Sequence, residues 1–99
     1  MLNQTNFNIK IYADDIKSFI PDIEEHDLCF IANKAAKLYK KIEPHGCVDN
    51  FRVSKISSDG SYSDKYKQAI ANGCCGFADR RFKNELTGNK FIIGFNFGH

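Results

Sequence analysis

The sequence predicts an α+β fold, with a four-stranded, mostly antiparallel sheet and one long helix packed on a face. Leu28, Ile31, Ala35, Leu38 and Ile42 recur at the spacing of one helix face. Phe91, Ile93, Phe95 and Phe97 alternate at the period of a strand. The 99 residues hold one core, because a domain near this size buries roughly 60 to 70% of the surface its unfolded chain exposes. The chain is therefore expected to be a single domain over 1–99.

The elements follow in the order β-α-α-β-α-β-β. Phe7, Ile9 and Ile11 alternate with Asn8, Lys10 and Tyr12, which predicts a first strand. Asp14 and Asp15 supply capping oxygens for a short helix carrying Ile16, Phe19 and Ile20, ended by Pro21, which lacks a backbone donor. The long helix is expected from Asp22 to Glu43. Acidic residues fill its first turn, lysines its last, and Asp27, Lys34 and Lys41 lie opposite its apolar stripe. His45 to Asn50 read as a connection. Phe51, Val53 and Ile56 then form a second strand, closed by the turn Ser57-Ser58-Asp59-Gly60. Ser63 and Asp64 start a helix bearing Tyr66, Ala69 and Ile70, and Asn72-Gly73 stops it. Cys74 to Lys83 and Lys90 to His99 make a C-terminal hairpin around the loop Asn84 to Asn89. In its last strand one face is core, while Ile92, Gly94, Asn96 and Gly98 leave the other nearly bare and open to close approach.

Composition excludes several classes. An apolar fraction of 42% and thirteen aromatics are too many for a disordered chain. A net charge of +2 is far from the strongly basic balance that would by itself point to nucleic acid, so global charge chooses no partner. No stretch approaches the roughly 20 apolar residues of a membrane span, and the N-terminus lacks the basic and apolar regions of a leader. A cytoplasmic protein is expected, with Cys29, Cys47, Cys74 and Cys75 as thiols. No P-loop, dinucleotide or zincin motif is present.

The most unusual pentapeptide is Asn72-Gly73-Cys74-Cys75-Gly76. A nucleophilic Cys74 or Cys75, paired with His45 or His99, needs a stabilised thiolate, yet this pair follows a helix C-terminus, whose dipole disfavours the anion. Packing is the simpler role. His45, Cys47, Cys74 and His99 are zinc-ligand types, but they lack the paired spacing of a zinc knuckle. No catalytic residue, metal or cofactor is expected. Lys34, Lys37, Lys40 and Lys41 on the long helix, with Arg80, Arg81 and Lys83 on a strand, are the types that contact phosphates. They share the helix with Glu24, Glu25 and Asp27, and no strand interleaves aromatic with basic residues as an RNA-reading sheet requires.

Asn72-Gly73-Cys74-Cys75-Gly76-Phe77 and the ending Phe91 to His99 resemble the C-terminal part of small uncharacterised accessory proteins of bacteriophages and prophages. Eleven Lys against three Arg, the bias of AT-rich coding sequence, agrees with that resemblance. It implies a non-enzymatic protein in the cytoplasm of a bacterial host. Such a protein would bind and inhibit a host protein complex, for instance a defence system such as a CRISPR effector. Anchors expected at exposed positions are Tyr62, Tyr66, Arg80, Arg81, Lys83, Asn84 and Asn89. Two alternatives stand beside it: a nucleic-acid-binding regulator using Lys34, Lys37, Lys41, Arg80 and Arg81, and a Cys/His enzyme or zinc module. Monomer and homodimer are both compatible with the pattern.

Overall fold

A computed structural model describes residues 4–45, 47–71 and 76–98. Its order is α1 (Gln4–Phe19), α2 (Glu25–Ile42), a 3-10 turn (Glu43–His45), β1 (Cys47–Lys55), α3 (Asp64–Ala71), β2 (Gly76–Lys83) and β3 (Lys90–Gly98). The architecture is α+β, but the described sheet has three strands rather than four. All are antiparallel, in the order β1-β3-β2.

The missing strand is the first. Residues 7–12 belong to α1, because their brief alternation is part of a longer helical stripe: Ile9, Tyr12, Ala13, Phe19 and Ile20 pack on the core and Ile16 is fully buried. Ile11, counted toward a strand face, is 51% exposed. Asp14 and Asp15 are therefore exposed mid-helix residues rather than a cap.

The long helix begins at Glu25, three residues later than expected, with Glu24 as its N-cap. Its predicted stripe is the core: Leu28, Ile31, Ala32, Ala35, Leu38 and Ile42 are buried against Val53, Phe91, Ile93 and Phe95 of the sheet. Phe95 makes an edge contact with Tyr39, ring centroids 5.8 Å apart. Asp27, expected on the solvent side, is buried. Pro44 falls in the 3-10 turn that follows the helix.

The second predicted strand starts earlier than expected, at Cys47, and its register with β3 shifts between Asp49 and Arg52. Asn50 sits at that bulge with φ 55°, a left-handed conformation that asparagine tolerates better than most residues, and its Nδ2 donates to the Ala69 carbonyl at 3.0 Å. The turn after β1 closes through Gly60 N to Ser57 O at 2.8 Å. Ser63 accepts from Tyr66 N at the start of α3. The predicted stop Asn72-Gly73 and the pair Cys74 and Cys75 lie outside the described residues, as does His99. No helix among the described residues is long and apolar enough to cross a membrane.

Candidate functional site

The second face of β3 is not bare. Ile92, Gly94 and Asn96 are buried, and a polar network lies across the middle of this face. Strand pairing sets Arg52, Gly94 and Asp79 side by side, and the missing side chain at 94 is what lets the outer two meet. Arg52 Nη2 donates to Asp79 Oδ1 at 2.8 Å, and Arg52 Nη1 donates to Asn96 Oδ1 at 2.5 Å. Tyr66 OH donates to the same Asp79 oxygen at 2.9 Å. The guanidinium carbon lies 5.8 Å from the Tyr66 ring centroid and 5.4 Å from that of Phe77. Tyr66, expected at an exposed position, is fully buried. Burial, with the Asp79 hydrogen bond and charge, raises its phenol well above the ordinary 10.0, so it remains a donor.

A second cluster ties the hairpin loop to α2. Asp27 Oδ1 accepts from Asn84 Nδ2 at 2.8 Å and from Thr87 Oγ1 at 2.7 Å, and Oδ2 accepts from Asn89 Nδ2 at 2.8 Å. Asn84 Nδ2 also lies 2.9 Å from His26 Nδ1. Asn84, expected to be exposed, is buried, and Asn89 is half-buried. Both are spent on this internal clamp, which leaves their amides poorly placed for a partner.

Burial alone would raise the Asp27 carboxyl. The bonds from Thr87, Asn89 and Asn84, with the charge of His26, outweigh it and hold the group below its ordinary 3.8. The unfolded chain therefore binds the extra proton between the two values, and stability rises with pH there. The contribution is complete above the ordinary value and is lost as pH falls through the lowered one. Asp27→Asn is expected to cost about 2 kcal/mol at neutral pH and to flatten the acid limb of stability against pH, measured by urea unfolding. An unchanged acid limb would remove the clamp as its cause.

The predicted basic residues converge. Lys34, Lys37, Leu38 and Lys41 follow one another at helical spacing on α2, and they face Arg80, Arg81 and Phe82 of β2 across a groove of about 320 Å³. Lys40 is exposed on the same helix but does not line the groove. No acidic side chain among the described residues lines it: Glu24 and Glu25 lie at the other end of α2 and Asp27 faces the hairpin loop. Lys34 holds its ammonium 5.6 Å from the Phe30 ring centroid and 5.5 Å from that of Phe82. On β2, Phe82 stands between Arg81 and Lys83. Successive strand residues point to opposite faces, so Phe82 and its two basic neighbours do not share one face. Arg81 donates from Nε at 3.1 Å and from Nη2 at 2.5 Å to the Tyr62 hydroxyl, under a T-shaped contact of Tyr62 with Tyr66.

Five cations around one concavity repel one another, which costs stability unless an anion joins them. Among the described residues the groove lining carries no carboxylate, imidazole or thiol, and its cations are the types that hold oxyanions. The alternative metal set falls outside what is described, since Cys74 and His99 are outside the described residues and so are the side chains of His45 and Cys47. Among the described residues no group of three or more His, Cys, Asp or Glu is placed to hold a metal ion. Cys29 is a free, half-buried thiol.

Comparison with protein-family models, with curated proteins and with solved structures finds no significant match to this chain.

Proposed function

We propose that this protein is a non-enzymatic binding module that holds the phosphate backbone of a nucleic acid in the basic groove between α2 and β2. The observation that carries the reading is the convergence of Lys34, Lys37, Lys41 and Arg80 on one concavity, with Arg81 at its rim and no acidic residue among the described residues in its lining. Phosphate contacts of this kind release counterions, so affinity for a fluorescent oligonucleotide should fall steeply with salt. The expected log–log slope is about −3.5 for five contacts on a single strand. A flat salt response removes the reading. Lys37→Glu with Arg80→Glu, both exposed and away from the core, should weaken binding by roughly tenfold or more without lowering the thermal midpoint.

A second reading is a phage-encoded inhibitor that covers a surface of a host machine such as a CRISPR effector complex. A separate observation favours it: Phe77 is 49% exposed and the Tyr62–Arg81 pair lies at the surface, and aromatic and arginine side chains commonly anchor protein interfaces. Affinity capture from a bacterial lysate divides the two readings. One stoichiometric protein complex that survives nuclease supports the inhibitor, and only nuclease-sensitive material supports the groove.

A further inference from the structure

We infer that the ligand of the groove is a single strand, which continues over the edge of β2 into a second basic hollow at the end of the sheet. The inference deepens the nucleic-acid reading and rests on it. The hollow has a volume of about 930 Å³ and takes one lysine from each strand, Lys55, Lys83 and Lys90, together with Arg81. It meets the groove at Arg81 and Phe82, which line both. With Arg81 common to both, eight distinct cations line the two, more than half of the 14 in the chain. No carboxylate lines either. Asp59, in the turn beside the hollow, accepts from Ser61 N through its Oδ1 at 3.0 Å.

The placement decides which form of nucleic acid fits. β2 pairs with β3 alone and is the outer strand of the described sheet, so no further strand bars a path across it. Successive residues of a strand point to opposite faces. Phe82 packs toward the core on the α2 side, while Arg81 pairs with Tyr62 on the other. The cations thus sit in two recesses that wrap a strand edge. A duplex has a persistence length of about 150 bp and is stiff over a molecule whose longest extent is 41 Å. A single strand turns between successive phosphates, and the half-buried Phe82 ring at the junction is where a base can stack.

The test measures fluorescence anisotropy with a twelve-nucleotide thymidine strand, a four-nucleotide strand, and a hairpin duplex matched to the longer strand in phosphate number. The hollow is probed with the triple variant Lys55→Gln, Lys83→Gln, Lys90→Gln. All three side chains are exposed, so its melting curve should match that of the parent. The groove is probed with Lys37→Gln, Arg80→Gln. The parent should bind the long strand more tightly than the duplex. The hollow variant should lose roughly tenfold on the long strand, little on the short one, and about 2 from the salt slope. If the groove variant loses binding while the hollow variant keeps both affinity and slope, the inference falls and the proposed function stands. Tighter binding of the duplex also overturns the inference alone. No binding to either nucleic acid, or tighter binding to a polyglutamate peptide of equal charge, overturns both and points to an acidic protein surface.

Discussion

Gly94→Ala is expected to lower the thermal midpoint by roughly 12 °C or more, taking about 3 kcal/mol for a broken buried ion pair and a shift of about 4 °C per kcal/mol in a domain of this size. A Cβ on residue 94 would lie 1.7 Å from Asp79 Oδ1 and 3.0 Å from Arg52 Nε. No adjustment of a few tenths of an ångström relieves such an overlap, so Asp79 must swing away and leave a fully buried guanidinium without its carboxylate. Gly60→Ala is the control. Gly60 has φ 86°, but a Cβ there would meet nothing within 4 Å, so only the left-handed backbone cost of roughly 1 to 2 kcal/mol applies. Calorimetry showing equal losses for the two variants would mean that the network around Arg52 contributes little.

Asp79→Ala should cost about 3 kcal/mol, read from denaturant unfolding, because it strands the fully buried Arg52 without its half-buried partner. Arg52 would keep Asn96 Oδ1, but its Nε has no hydrogen-bond partner among the described residues to begin with. The double variant Arg52→Met, Asp79→Leu should lose less than the two single variants together, since neither charge is then left buried and alone. Strict additivity would show that Arg52 and Asp79 act independently.

Much of the fold was legible where one period ran unbroken. The stripe from Leu28 to Ile42 and the alternation from Phe91 to Phe97 each extend over several repeats, and both elements form where the pattern places them. The first strand failed because Phe7, Ile9 and Ile11 satisfy a period of two for only three members, while Ile9, Tyr12, Ala13, Ile16, Phe19 and Ile20 satisfy a period of 3.6 for longer. The paired aspartates then looked like a helix start and hid the continuity. In the candidate site, helical spacing put Lys34, Lys37 and Lys41 on one face. That this face meets Arg80 and Arg81 is a property of tertiary packing, invisible until α2 is laid beside β2. The burial of Tyr66, Asn84 and Asp27 was hidden for the same reason: each side chain has a partner at least 13 residues away in sequence.

The clamp on Asp27 has a mechanical consequence. Lys34 lies two helical turns beyond Asp27, about 10 Å along the axis of α2, and Phe82 is two residues before Asn84 on the other wall. Both walls are therefore pinned close to the same joint. On the proposed reading the clamp holds the slot between them at one width, and a nucleic acid would meet walls already set. Little chain entropy remains to be lost on the protein's side, so encounter rates should be governed by the long-range pull of the lysines and arginines, with no slow opening step ahead of capture.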